Sequence, residues 1–457
     1  MAFRQSGPAV SNAGAGPYPQ SAAREAATLQ QGGSEAPSTM MENVFFLYAV
    51  HIFNYGVPLL MIPWLTRHLG LAAWGEFALA EAMGRYVALF IEYGFSLSGT
   101  REVARYQHDA EYRSSLLAGV LGGQCALAGA SLLLAFAASF VLPGFRESPL
   151  LFWSAIVWGV LDAFNLMWYF QGIERARRAG MLDIAARALG VFLIFLVVHN
   201  PDDGWKAFAA RGIASALSLA LCARAAYSAM PMRKPAIVDA LNMLRQGFSM
   251  FLLRSSINLY LLSNVLVLGL FVPPQIVGLY SGAEKISRAA VALLNPITQA
   301  VYPRVSRIVH SGAQGAGSLV RISMAVMGAG GLLTALSVFL LAPFIVRVLL
   351  GKGFEDAIPI LRFLCILHPI VALNNVLGIQ WLIPHGLDRK YNMITVGAGA
   401  VNVLAGMLLV PHLMQFGVVW STVLAEGLMF LAIAGVCVRL DINPIRLRTE
   451  EPAASAI

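Results

Sequence analysis

Two stretches of this 457-residue chain carry charges where charge is expensive. Residues 75–105, GEFALAEAMGRYVALFIEYGFSLSGTREVAR, are apolar enough to cross a bilayer, yet they hold Glu81, Arg85 and Glu92 on one helical face. A charge at the centre of a lipid-facing helix costs roughly 2.5 to 3.5 kcal/mol, so charges that stay there face a protein or water-filled interior. The pattern returns 203 residues later in GLYSGAEKISRAAVALLNPITQAVYPR. There Gly278, Tyr280, Ala283, Glu284, Arg288 and Arg304 stand opposite Gly75, Phe77, Ala80, Glu81, Arg85 and Arg101. A second echo, at an offset of 214, sets Gly172, Glu174 and Arg175 of FQGIER against Gly386, Asp388 and Arg389 of PHGLDR. Repetition at a near-constant offset reads as two parallel copies of one bundle.

Taken together, the intramembrane charges lean basic. Arg85, Arg187, Arg211, Arg254, Lys285, Arg288 and Arg362, with His51 as a possible addition, face Glu81, Glu92, Asp162, Glu284 and Glu426. Glu81 to Arg85 and Glu284 to Arg288 run i to i+4 with the acid first, the better order for an intrahelical pair, so both acids read as supports for their arginines. His51 and Arg254 obey the 203 offset, and Arg254 has no acid at i±3 or i±4. Asp183 and Arg187 lie one turn apart near a span end, where a snorkelling pair and a functional one are equally compatible. Arg211 and Arg362 also lie near span ends and carry less weight. Asp162, Glu426 and Glu92 have no evident basic partner at i±4. A buried acid of that kind could exchange protons near neutral pH, which makes these three the candidates for ion coupling. Cys125, Cys222, Cys365 and Cys437 lie in apolar runs without ligand-like spacing and read as small core residues, so no metal site is expected.

The elements that must position these charges follow from composition. Hydrophobic residues make up 58% of the chain and charged ones 12%, about half the charge of a soluble domain. An all-α membrane protein is expected, with twelve spans near 44–66, 76–98, 115–141, 149–171, 180–199, 206–230, 247–271, 276–302, 319–350, 357–383, 391–413 and 415–438. Residues 1–41, rich in Ala, Gly, Ser, Gln and Pro, read as a disordered tail. Residues 42–230 form one six-helix lobe, 231–246 a cytoplasmic linker, 247–440 a second lobe, and 441–457 a closing tail. The lobes are expected to be related by a parallel pseudo-two-fold repeat. Pro58 and Pro63 predict a bend in the first span. TREVARYQHDAEYR and PRVSRIVH, polar and helix-compatible, are each suited either to the membrane surface or to an ordinary loop.

Most Lys and Arg gather on one side, from Arg101, Arg105 and Arg113 through Arg175, Arg177 and Arg178 to Arg304, Arg307 and Arg439. The other side has Arg67, Arg146, Lys206, Arg347 and Lys352. By the positive-inside rule both termini are cytoplasmic. The same rule accounts for the net charge of +8 without a nucleic-acid partner. Short loops leave no room for a catalytic domain, which points to transport rather than to an enzyme, and no phosphate-loop motif indicates ATP hydrolysis.

VFFLYAVHIFNYGVPLLMIPWLTRHLG, WGEFALAEA, IEYGFSLSGTREVAR and VGLYSGAEKISRAAVALLNPITQAVYPRVSR resemble the bacterial polysaccharide-biosynthesis flippases of the Wzx type, over about residues 43–440. The resemblance implies the multidrug/oligosaccharidyl-lipid/polysaccharide exporter fold, two six-helix lobes around a central cavity. It also implies a substrate, an undecaprenyl-diphosphate-linked oligosaccharide repeat unit crossing the inner membrane, with no cofactor. A polysaccharide polymerase and a chain-length regulator would be its protein partners. The basic interior suits that substrate, because guanidinium groups offer fixed, bidentate donors to phosphate oxygens. On this reading Arg254, Arg85, Arg288 and Lys285, helped by His51, hold the diphosphate. A multidrug exporter would be expected to have an acid-dominated cavity, a lipid II flippase extra helices, and a membrane-embedded polymerase or ligase a sizeable outer loop.

Overall fold

The computed structural model describes residues 40–228, 230–234, 237–311, 315–442 and 444. Within them the side chains of 40–59, 143, 178, 237, 238, 246, 248–250 and 252–261 fall outside the description. The chain divides into two units, Met1–Ile52 and Phe53–Ile457, and the cavities lie in the second. The expected tail at 1–41 falls almost wholly outside the described residues.

The first half of the chain supplies α1 (Met40–Glu92), α2 (Phe95–Arg105), α3 (Ala110–Ser139), α4 (Pro143–Glu147), α5 (Pro149–Ala163), α6 (Met167–Gly172), α7 (Ala176–Val197) and α8 (Gly204–Tyr227). The second half supplies α9 (Ile237–Phe271), α10 (Pro274–Ala292), α11 (Asn295–His310), α12 (Ala316–Leu349), α13 (Ala357–Leu364), α14 (Leu367–Asn375), a π-helical segment Val376–Leu382, α15 (Asp388–Leu413) and α16 (Gln415–Arg439). Eight spans among the described residues are long and apolar enough to cross a membrane. They coincide with the expected spans at 115–141, 149–171, 180–199, 206–230, 319–350, 357–383, 391–413 and 415–438.

The other four expected spans are helical but fall short of that measure, for identifiable reasons. Residues 76–98 and 276–302 carry Glu81, Arg85, Glu284, Lys285 and Arg288, and each is broken, at Tyr93–Gly94 and at Leu293–Leu294. Most side chains of 44–66 and 247–271 lie outside the description. The protein is inside out relative to a soluble one. Leu133 and Leu408 are each 72% exposed, an arrangement that only lipid can cover at this scale. Cys125 belongs to that outer surface instead of the core, whereas Cys222, Cys365 and Cys437 are buried as expected.

One pair of helix breaks falls 203 residues apart. Gly70 is the non-helical residue inside α1 (φ 74, ψ 176), and Pro273, one repeat offset later, caps α10. The expected bend at Pro58 and Pro63 is therefore displaced: helix continues through Pro63 and turns at Gly70, where a left-handed φ is open to glycine without the penalty that an L side chain meets. The two polar stretches after the breaks become helical: α2 buries Phe95, Gly99 and Val103, and α11 continues through Pro303. Residues 235–236 fall outside the description, and α9 is described from Ile237. Its first turns pack on α3, with Asp239 and Met243 beside Gly119. The expected closing tail is pinned at its start, where Trp381 Nε1 donates to the Ile442 carbonyl at 2.7 Å.

The halves meet at the end that holds Gly70 and Pro273. Gly75 of α1 and Gly278 of α10, repeat mates, lie back to back. A Cβ on Gly75 would collide with the Pro274 carbonyl, and one on Gly278 would stand 2.6 Å from the Leu71 carbonyl. Arg67 adds a hydrogen bond to the Val348 carbonyl at 2.8 Å. Buried Leu65, Trp74 and Phe77 from the first half share one apolar core with Val277, Tyr280 and Leu350 from the second. Toward the opposite end the cores separate, one around Phe95, Leu117 and Trp168, the other around Val305, Val320 and Trp381. Gly75→Ala is therefore expected to destabilise the purified protein by about 1 to 3 kcal/mol through overpacking. Gly427→Ala, whose Cβ would enter open space, should leave it unchanged or gain up to about 1 kcal/mol. Thermal unfolding in detergent compares the two.

Candidate functional site

The charged faces of α1 and α10 are brought to one cavity of about 440 Å³, whose wall also takes residues from α5, α7, α8 and α9. Glu81 lies eleven residues beyond the Gly70 turn, roughly 16 Å along the helix, and is 5% exposed. Its Oε1 accepts from Arg85 at 3.1 Å and from Arg211 of α8 at 2.8 Å, and its Oε2 accepts from Lys285 of α10. One carboxylate thus serves three cations from three helices, and Lys285 makes the link across the halves.

Aromatic rings set the other faces of these cations. Trp74 stacks on Phe77, Phe77 on Phe208 at 4.4 Å, and Phe208 on Trp158. The Arg211 guanidinium sits 5.3 Å from the Trp158 ring centre and 5.5 Å from that of Phe77, and Lys285 Nζ lies 5.1 Å from the Trp74 ring. A cation held against ring faces is attracted by them, by about 2 kcal/mol or more when desolvated.

A second node inverts the first. Arg187 of α7 donates to Asp183 at 2.8 Å and lies 3.8 Å from Asp162 of α5, which accepts from Ser215. Glu284, the repeat mate of Glu81, accepts from Arg288 at 2.8 Å and from the Tyr280 hydroxyl at 3.3 Å. The cavity wall then holds Glu81, Asp162 and Glu284 against Arg85, Arg187, Arg211, Lys285 and Arg288, an excess of two positive charges.

Of the residues expected to hold the diphosphate, Arg85, Arg288 and Lys285 line this cavity. The side chains of Arg254 and His51 lie outside the described residues. The supporting role read for Glu81 is broader than one intrahelical pair, because Arg211 and Lys285 come to it from 130 and 204 residues away. Arg211 and Arg187, given less weight from their position along the helix, belong to the wall. Their signal was present as charge in apolar spans, but helical depth does not report which way a side chain faces across the bundle. Asp162 lacks a partner on its own helix yet has Arg187 from the next span. Glu426 is buried in the second half and accepts from Asn374 Nδ2 at 2.6 Å. Glu92 closes α1 and is not part of the wall. Arg362 is also away from it, its Nε donating to the Phe339 carbonyl at 3.2 Å.

A multi-pass helical bundle with a basic cavity set between its halves defines a membrane transporter and not an enzyme. The chain belongs to the family described as "Polysaccharide biosynthesis protein", which residues 40–309 match. It is 28% identical over 370 residues to the "Putative O-antigen transporter" of Escherichia coli (strain K12), covering 80% of this chain and 89% of that protein. A protein of the same name from Shigella dysenteriae is 26% identical over 400 residues, covering 86% and 98%. Among solved structures, the lipid II flippase MurJ in an inward closed conformation superposes with a TM-score of 0.63 at 11% identity, covering 88% of this chain and 91% of that one. An inward-facing multidrug resistance MATE transporter of the MOP superfamily gives 0.61 at 14% identity, covering 87% and 96%. At these identities the two structures speak for the fold.

Loss of the shared acid leaves cations facing one another in a poorly solvated site. Glu81→Ala should cost about 3 kcal/mol, and Arg85→Ala, on a side chain 52% exposed, less than about 1 kcal/mol. Adding Lys285→Ala to Glu81→Ala should cost less than the sum of the single changes. Unfolding of the purified variants gives all three values.

Proposed function

We propose that the protein flips undecaprenyl-diphosphate-linked oligosaccharide repeat units from the cytoplasmic to the outer leaflet of the bacterial inner membrane, supplying O-antigen, capsule or exopolysaccharide synthesis. The observation that carries this reading is Glu81, a buried carboxylate holding three cations in a cavity with surplus positive charge. A diphosphate crossing the bilayer needs fixed cations to replace its hydration, and arginine and lysine donors supply charge-assisted hydrogen bonds to its oxygens. Glu81 occupies those donors until the phosphate oxygens take them. Arg85, Arg211, Lys285 and Arg288 bind the diphosphate, and Arg254 and His51 complete the set. The names of the O-antigen transporter relatives support the class of cargo.

Transport proceeds by alternating access, as two six-helix lobes, 42–230 and 247–440, rock about the cavity. The shared core and the Gly75–Gly278 contact support a state closed at the end away from the Arg-rich loops. Both termini then face the cytoplasm. Coupling to an ion gradient falls to Asp162, which lies in the cavity wall, ahead of Glu426 and Glu92. A polymerase and a chain-length regulator receive the flipped unit.

Complementation of a flippase-null strain tests the site at equal membrane levels of each variant. Lys285→Ala, Arg211→Ala and Arg254→Ala should reduce surface polysaccharide at least about tenfold, the equivalent of about 1.4 kcal/mol in the limiting step, and Arg362→Ala should not. Wild-type polymer from both Lys285→Ala and Arg211→Ala would overturn the assignment. Reporter fusions after Arg178 and Lys234 should both give cytoplasmic signals, and a periplasmic signal from either reverses the orientation.

A further inference from the structure

A second cavity, of about 430 Å³, opens where the α2–α3 turn, the α6–α7 turn and the end of α8 come together. Every residue of its wall falls between Gln107 and Ser228. It therefore belongs wholly to the first half of the chain and is not part of the central cavity. Its chemistry is also different. The wall carries Arg113, Arg175 and His108 with Gln107, Tyr169 and Ser228, and no carboxylate, whereas acid and base are interleaved in the central cavity.

Arg113 is the anchor. Its Nη1 donates to the Tyr169 hydroxyl at 2.8 Å, which orients the guanidinium. Its Nε–H is buried with no hydrogen-bond partner among the described residues. A charged donor left in that condition is costly, at about 1 to 3 kcal/mol or more, and an anionic oxygen is the acceptor that relieves it. Arg175, also in the wall, is exposed and makes no side-chain ion pair among the described residues. Gln107 and His108 place polar nitrogens 3.2 Å apart at the rim. Apolar Phe170, Ile173 and Leu182 also line the wall, so the pocket combines basic and apolar surface.

We propose that this cavity is a standing site for a phosphate-bearing anion, gripped by Arg113 and Arg175, at the end of the bundle where the Arg-rich loops gather. The phosphate of an acidic lipid headgroup and a free phosphate share that chemistry. Because the wall lies within one half, occupancy would tie α2, α3, α6, α7 and α8 together without being broken by rocking of the halves, and its role is to brace the first half. The inference does not depend on which substrate the central cavity carries.

The test uses the purified full chain in phosphatidylcholine nanodiscs, read by thermal unfolding in three arms: no addition, phosphatidylglycerol in the disc, and inorganic phosphate in the buffer. Ligand binding to the folded state stabilises it by RT ln(1 + [L]/Kd) and so raises Tm as the ligand concentration climbs above Kd. A rise with phosphatidylglycerol assigns the site to a lipid headgroup, and a rise with inorganic phosphate assigns it to the free anion. In either case Arg175→Gln, a change on an exposed side chain that should fold normally, is expected to require about tenfold more ligand for the same rise, as loss of one charge-assisted pair would. Arg113→Lys keeps the charge but removes the Nε–H, and should weaken it too. Arg362→Ala, on a side chain in neither cavity wall, should respond as wild type. No rise in either arm, or the same rise in wild type, Arg175→Gln and Arg113→Lys, overturns the proposal.

Discussion

The rest of the arrangement hangs on the sharing of the Glu81 carboxylate among Arg85, Arg211 and Lys285. An isolated ion of either sign would be prohibitively costly at this depth. Three cations can be stored there because one acid binds them all and aromatic faces hold the guanidinium and ammonium groups from behind. The acid is outnumbered, so the cluster is stable as a unit while keeping positive charge for something else. Lys285 comes from the other half of the chain, which makes the same ion cluster a structural link between the halves.

That link lies beside a surface of contact built from small residues. Gly75 and Gly278 let two backbones approach as closely as side chains otherwise would, in the manner of small-residue contacts between membrane helices. On one side of the ion cluster the halves share an apolar core; on the other each keeps its own. A cavity bounded in this way can open toward the side where the cores are separate without exposing the shared core, and this gives the arrangement its direction.

Much of this was legible from residues alone. Glu81, Arg85, Glu284, Lys285 and Arg288 stood out because charge inside an apolar helix is rare, and all but Lys285 came in matched pairs at the repeat offset. Eight spans were readable from continuous apolar length, and the helices that fall short are those the site had made polar or broken. Arg211 and Arg187 were underweighted because position along a helix gives depth but not facing, and their partners lie on other helices. The turn at Gly70 was misplaced to the two prolines for a related reason. A proline removes one donor, which a membrane helix can tolerate, whereas a left-handed φ ends the helix outright. The aromatic ladder Trp74–Phe77–Phe208–Trp158 could not be anticipated, since those rings, drawn from three helices, read individually as ordinary core.

The central claim is that Glu81 holds the cations of the cavity in place of a diphosphate. Equilibrium binding of undecaprenyl diphosphate to the purified protein in nanodiscs tests it most directly. The account predicts salt-sensitive binding that weakens at least about tenfold in Lys285→Ala and in Arg211→Ala, yet tightens in Glu81→Gln, where the internal competitor has lost its charge. Binding that is indifferent to Lys285→Ala and Arg211→Ala, or that weakens in Glu81→Gln in parallel with them, would contradict it.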